Sequence, residues 1–200
     1  MRISTILGHP RSGSFNHALA LAPVAQATEN GHEVSFHDLQ AEGFDPVLRA
    51  GEERGDGPLA PDIERHCREI AEADGIVVVH PNWWGQPPAV LKGWIDRVLR
   101  AGVAFRFDDG DAGEGVPRGL LRARSAVVLN TANTSPDREA RAFGDPLERI
   151  WKDCIFGLCG VSKVERHTFS IVVTSTDSQR RAWLAQVRGI IDRHFPAERE

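Results

Sequence analysis

The sequence predicts an α/β fold, a three-layer sandwich in which a five-stranded parallel sheet carries helices on both faces. Strand-like and helix-like segments alternate along the 200 residues. Ile76-Val77-Val78-Val79 is apolar and β-branched without polar alternation, and Ser125 to Leu129 reads the same way, as strands buried on both faces do. The segments between strands are long enough for the crossovers that parallel neighbours need. A single domain over 1–200 is expected from the length.

The elements follow in order. Arg2 to Leu7 is a short strand that ends in Gly8-His9-Pro10-Arg11-Ser12-Gly13, too rich in turn formers to continue it. Ser14 caps a helix running to about Thr28, closed by Asn30-Gly31, with Pro23 arguing against its continuity. Glu33 to Leu39 alternates, as an edge strand does. Gln40 to Pro61 is polar and rich in Gly and Pro and reads as a long surface connection. A charged helix over Asp62–Ala73 leads to the strand at Ile76–Val79, and after the loop Pro81–Pro88 a helix spans Ala89–Ala101 with apolar residues at helical spacing. Asp108–Gly119 is a second loop, Ser125–Leu129 the next strand, and Asp145–Leu158 a helix with Pro146 in its first turn. Lys163–Val173 supplies the fifth strand and Ser178–Phe195 the closing helix.

Composition narrows the function classes. A net charge of −4 with 24 dispersed basic residues leaves no footprint for DNA or RNA. No apolar run approaches the roughly 20 residues of a membrane helix. Met1 leads into a strand without a secretory leader pattern, so a cytoplasmic protein is expected. Cys67, Cys154 and Cys159 form no CxxC pair and read as reduced structural thiols. His32, His37, His66, His167 and His194 lack metal-ligand spacing and read as surface or cap residues, and Asp108-Asp109-Gly110-Asp111 lacks the spacing of a calcium loop. No metal is expected.

In open parallel sheets ligands sit beyond the carboxyl ends of the strands, which singles out the loops at 8–16, 80–88 and 130–136. The first sets a Gly-rich turn before a helix start, where free N–H groups and the helix dipole favour a phosphate. Gly8-xxxx-Gly13-Ser14 lacks the lysine of a P-loop, which argues against an ATPase. The second, His80 to Pro88, places Trp83 and Trp84 among turn residues, a costly exposure unless a flat aromatic ligand covers them. The third, Asn130-Thr131-Ala132-Asn133-Thr134-Ser135-Pro136, is dense in small hydrogen-bonding groups suited to a heterocycle's polar edge. Phosphate cradle, flat wall and polar rim together suit a flavin. GxGxxG is absent after the first strand, so a nicotinamide cofactor would visit rather than reside.

Several motifs carry a family resemblance: Gly8-His9-Pro10 through Ser14-Phe15-Asn16-His17-Ala18-Leu19, then Pro81-Asn82-Trp83-Trp84, and Pro88-Ala89-Val90-Leu91-Lys92-Gly93-Trp94-Ile95-Asp96-Arg97-Val98. Phe105, Phe107, Gly113-Glu114-Gly115 and Phe143-Gly144-Asp145-Pro146-Leu147 extend it over nearly the whole chain. At these residues the chain resembles the NAD(P)H:quinone oxidoreductase family, whose members have the flavodoxin-like fold, with sheet order 2-1-3-4-5, and bind FAD or FMN. The resemblance implies that His9, Ser14, Phe15 and Asn16 hold the flavin's phosphate arm. It implies likewise that Pro81, Asn82, Trp83 and Trp84 line the ring and that Thr131, Asn133 and Thr134 meet its other edge. Phe105 and Phe107 match positions over the substrate pocket, contributed across a homodimer interface.

The implied activity is reduction of a quinone, azo or nitro compound by NAD(P)H, a transient co-substrate, through a tightly but non-covalently held FAD or FMN in a ping-pong cycle. A flavin-binding regulatory subunit of a potassium efflux system and a flavodoxin-like electron carrier are the alternatives. Two departures stand out. Ala132-Asn133 replaces the family's usual Gly-Gly, and the chain has no tyrosine where some relatives use a Tyr and His near the flavin, Phe143 being the nearest match. Acid–base assistance therefore comes from elsewhere or is dispensable.

Overall fold

In the computed structural model, which describes residues 1–54, 57–108, 110 and 115–197, the apolar runs become the middle of a five-stranded parallel sheet. The elements in chain order are β1 (Arg2–Leu7), α1 (Phe15–Glu29), β2 (Glu33–Asp38), α2 (Ala50–Arg54), α3 (Pro61–Glu72), β3 (Gly75–Pro81) and α4 (Ala89–Val98). They continue with β4 (Phe105–Arg106), β5 (Arg118–Gly119), β6 (Ser125–Thr131), α5 (Pro136–Phe143), α6 (Pro146–Arg149), a π-helix (Ile150–Gly157), β7 (Lys163–Phe169) and α7 (Asp177–His194). The sheet order is β2-β1-β3-β6-β7, which is 2-1-3-4-5 counted within the sheet, and β4 pairs with β5 in a separate antiparallel ribbon.

Alternation along β3 builds two cores from one strand. Ile76 and Val78 enter a cluster with Ile63, Ile70, Leu91, Trp94 and Trp151, while Val77 and Val79 enter another with Leu19, Val187 and Ile190. Every residue of β3 and of β6 is buried, which explains the missing polar alternation. The edge strand β2 is only partly covered.

Helix α1 runs as expected and is continuous across Pro23. Four expectations are corrected. The connection Gln40–Pro61 is not wholly a surface loop, because Phe44 is buried and α2 carries Glu52 inward to meet Arg97 at 2.5 and 2.8 Å. The helix expected over Asp145–Leu158 is α6 followed by a π-helix, and a Cβ on Gly157 would lie 2.6 Å from the Lys152 carbonyl oxygen five residues back. The fifth strand ends at Phe169 rather than Val173. His32, His37, His66 and His194 are buried, not superficial. Their partners include the Phe195 carbonyl for His32, Glu42 for His37 and His66, and Ser125 for His194. Cys67 and Cys159 are buried, and burial pushes each thiol up to about 11, whereas Cys154 is exposed. Asp109, Asp111, Gly113 and Glu114, named in the acidic loop and in the resemblance, lie outside the described residues.

Gly93 in α4 lets the helix lie directly on the Phe44–Pro46 segment: a Cβ there would stand 2.2 Å from the Pro46 carbonyl oxygen and 2.4 Å from its Cα. Gly93→Ala is expected to destabilise the fold by about 1–3 kcal/mol, because backbone cannot give way as a side chain does. Gly189→Ala in α7, where a Cβ meets nothing within 4 Å, should be neutral or stabilise by up to about 1 kcal/mol. Urea midpoints of the two variants against the parent check both signs.

Candidate functional site

Three loops leave the carboxyl ends of β1, β3 and β6 at the same edge of the sheet and line a single cleft of about 310 Å³. His9, Ser14, Phe15 and Asn16 come from the first loop and the start of α1, Pro81, Asn82 and Trp83 from the second, and Thr131, Asn133 and Thr134 from the third. Trp84 lines a second cleft of about 590 Å³ that shares Asn82, Asn133 and Thr134 with the first. Phe105 and Phe107 line neither cleft; they pack edge to face on each other, ring centroids 5.9 Å apart, with Phe107 exposed.

At the first loop the Ser14 hydroxyl accepts from His17 N at 3.2 Å and caps α1. Helix geometry leaves the N–H groups of Phe15 and Asn16 without intrahelical acceptors beside the cleft. The Arg11 N–H donates to His9 Nδ1 at 3.1 Å, and burial holds His9 below its ordinary pKa. Phe15 is fixed from below by Trp183, centroids 5.7 Å apart, with the Arg180 guanidinium 5.9 Å from its ring centre. Asn16 and Thr131 exchange hydrogen bonds of 2.9 and 3.1 Å, so the first loop is tied to the third in a buried setting.

The second loop is a tight turn. Trp83 N donates to Gln86 O at 3.2 Å and Gln86 N to Trp83 O at 3.0 Å, with Trp84 at φ 58° and Gly85 at φ 69°. Positive φ at both central positions is a type I′ geometry, natural for Gly85 and strained for a tryptophan. Asn82 braces the turn: its N–H reaches Thr131 O at 2.7 Å, its Oδ1 accepts from Gly85 N at 2.9 Å and its amide donates to Glu139 at 3.0 Å. The result is a tryptophan 101% exposed at the mouth of the cleft, facing Phe143, which is 62% exposed. Two large aromatics left open to water in this way form an exposed apolar patch on one cleft.

Three lining residues were not among the candidate site residues: Arg11 and Ala132, which lie in the loops singled out, and Val172, which does not. Val172 belongs to a fourth loop, after β7, tied to the third by Val172 N to Ala132 O at 3.1 Å and Val173 N to Asn133 Oδ1 at 2.9 Å. Its signal, the carboxyl end of the last parallel strand, was hidden by reading that strand four residues too long. Helix α5, which brings Glu139 and Phe143 to the second cleft, was missed although Ser135, Pro136 and Gly144 are its start and stop signals.

Beneath the second loop His80 is completely buried, and burial lowers its pKa to about 4. Elsewhere, ligand atoms of His37, Glu42 and His66 gather within 4.8 Å. There the Trp94 indole N–H donates to His66 Nδ1 at 3.1 Å, which leaves the imidazole proton on Nε2 to be donated to Glu42 at 3.0 Å. A nitrogen carrying a proton is not a metal ligand, and the group is a hydrogen-bonded cluster.

A parallel sheet of order β2-β1-β3-β6-β7 with its cleft beside the strand-order reversal defines the doubly wound, open-sheet class of α/β protein. A family profile described as the flavodoxin-like fold matches residues 1–190, and the chain belongs to that family. It is 32% identical over 186 residues to an uncharacterized NAD(P)H oxidoreductase of Haemophilus influenzae, covering 90% of this chain and 88% of that one. It is 31% identical over 125 residues to NAD(P)H dehydrogenase [quinone] 1 of Rattus norvegicus, covering 53% of this chain and 46% of that longer one. Among solved structures, NAD(P)H:quinone oxidoreductase from Methanothermobacter marburgensis superposes with a TM-score of 0.78 at 26% identity, covering 96% and 95% of the two chains. The resemblance read from the motifs and the sheet order is thereby borne out, and the chain is an enzyme of the oxidoreductase class.

His66 and His80 both titrate near 4 in the folded chain and near 6.5 when unfolded, because burial disfavours their charged forms. Their contribution to stability is therefore whole above pH 6.5 and is lost as pH falls from there toward about 4. The urea midpoint should decline across that window, and His80→Gln should make the decline shallower than in the parent. Identical slopes would mean that His80 is not held neutral.

Proposed function

We propose that the chain is a flavin-dependent NAD(P)H:quinone-type oxidoreductase. Its two adjoining clefts would hold FMN or FAD and admit in turn a nicotinamide and a quinone, azo or nitro acceptor. One observation carries the reading: four loops, at the carboxyl ends of β1, β3, β6 and β7, converge on one cleft that opens against an unsupported tryptophan. The residues suit the group. The start of α1 offers N–H groups and a positive dipole end to a phosphate, Trp83 and Trp84 offer flat faces, and the third loop offers hydroxyl and amide groups to a polar ring edge. The combined space lies in the range of small-ligand sites.

Bound flavin would supply the hydride chemistry between the two visiting substrates. The protein's part is placement. Trp84 and Phe143 form apolar walls against which a planar substrate lies on the open side, excluding water from that face. Glu139, on the wall of the same cleft and held by Asn82, is the carboxylate in reach of a substrate there. No tyrosine is present to assist, so charge developing on a ring edge is met by the donors of the third loop. The chain is further read as a homodimer in which Phe105 and Phe107 of one protomer cover the second cleft of the other, which accounts for their lying outside both clefts of their own chain.

Purified protein should be yellow or take up FMN or FAD in a fluorescence titration, and should then oxidise NAD(P)H in the presence of a soluble quinone. Trp84→Ala should raise the flavin Kd by roughly tenfold, the order expected for one lost aromatic wall, with the fold intact. Asn16→Asp should also weaken binding by setting a carboxylate at the cleft floor. Colourless protein whose melting temperature neither flavin shifts would overturn the reading, and bound flavin without NAD(P)H turnover would favour the regulatory-subunit alternative. Sedimentation should give a dimer, with Phe107→Ala raising the acceptor's KM while flavin content stays constant.

A further inference from the structure

The two non-glycine residues with positive φ among the described residues, Trp84 at 58° and Asp145 at 47°, stand at the two ends of one polar network, buried at His80 and Asn130 and partly buried at Arg166 and Asp145. We infer that this network is a clamp for the Trp84 turn, with His80 as its central positioning residue; the inference rests on the flavin reading only for its consequence in binding.

His80 ends the buried run of β3. Its Nδ1–H donates to the Pro81 carbonyl at 2.8 Å, and its Nε2 accepts from the Trp151 indole at 2.9 Å and from the Asn130 amide at 2.8 Å. One donated bond at Nδ1 and one Nε2 lone pair shared by two donors fix both the tautomer and the ring plane of this wholly buried, uncharged imidazole. The Asn130 side-chain oxygen accepts in turn from Arg166 Nη1 at 3.1 Å, and Arg166 is held by Glu148 at 2.9 Å, by Thr168 at 2.9 Å and by Asp145. Asp145 precedes Pro146, whose ring lies so close to Gly85 that a Cβ there would come within 2.6 Å. The network thus grips the turn twice, at Pro81 before it through His80 and at Gly85 within it through Asp145 and Pro146. A strained tryptophan persists only where its surroundings over-determine it, and these two grips supply that determination. Trp151 belongs to the π-helix, and that irregular segment thereby presents the indole N–H to His80.

His80 touches neither cleft and acts through Pro81, so its loss should move the turn rather than remove a ligand contact. His80→Phe leaves the Trp151 N–H and the Pro81 carbonyl unmatched and takes from the Asn130 amide the shorter of its two bonds, keeping only the 3.3 Å bond to the carbonyl of residue 80. Trp151→Phe removes one donor while keeping a ring on Phe156, whose centroid is 5.4 Å away, and serves if His80→Phe does not fold. Two readouts separate the clamp from the flavin reading. In ligand-free protein the indole ¹⁵N–¹H signal of Trp84, assigned with Trp84→Phe, should shift in both variants, and an unmoved signal overturns the clamp whether or not flavin binds. With FMN as the probe, the Kd should rise roughly tenfold or more, the equivalent of a buried hydrogen bond left unmade, and the visible circular dichroism of the bound ring should change. His80→Gln, which keeps one donor and one acceptor, should recover part of both effects. A shifted Trp84 signal in a protein that binds neither FMN nor FAD leaves the clamp standing and overturns the flavin reading, whereas FMN binding and dichroism unchanged in both variants overturn the clamp.

Discussion

Parallel pairing on both sides of β3 is the constraint from which the site follows. The register sets Leu7 level with Val79 and Val79 level with Leu129, so β3 and β6 end level at Pro81 and Thr131, two residues beyond the end of β1. Two backbone bonds carry the alignment into the loops, Gly8 N to Val79 O at 2.9 Å and Asn82 N to Thr131 O at 2.7 Å. A one-residue slip would turn Val77 and Val79 into the wrong core and separate the loops at once, so apolar packing and site geometry enforce the same register.

Polar groups inside the fold contribute differently. Asn16 with Thr131 at the cleft floor, and His80 with Asn130 and Trp151 in the interior, are buried pairings, so a bond left unmade there is costly. They add rigidity at the carboxyl ends of the strands. Arg97 with Glu52 does the same at α4, where an arginine 1% exposed pins the α2 segment against the core. Breaking such a pair costs far more than replacing both partners by apolar residues, so its contribution lies in specifying one arrangement.

Legibility tracked burial and period. The runs at 76–79 and 125–129 announced themselves because both faces are covered, and α1 announced itself through Ser14 and the Asn30-Gly31 stop. Helix α5 has no buried residue, so no apolar stripe marks it, and the two-residue strands β4 and β5 are too short to show a period. The histidines misled for a further reason. His32, His37, His66 and His194 are made tolerable in the interior by partners up to 163 residues away, and no spacing rule sees such pairs. Among the residues that line the first cleft, the hydroxyls and amides of the three predicted loops were picked out by their place after the strands and by the motif resemblance, while Val172 was lost because β7 stops sooner than its composition suggests.

The sequence by itself determined the strand and helix alternation, the burial of the central strands, the loops that line the cleft and the family to which the chain belongs. Those features are local patterns of hydrophobicity, turn chemistry and motif, each legible within a dozen or so residues. Only the tertiary structure decided that Trp84 stands fully exposed in a strained turn, that Phe143 faces it across a second cleft, and that Asp145 and His80 brace it from below. These arrangements depend on hydrogen bonds and contacts between elements far apart in the chain, whose distances exist only once the sheet has closed its register.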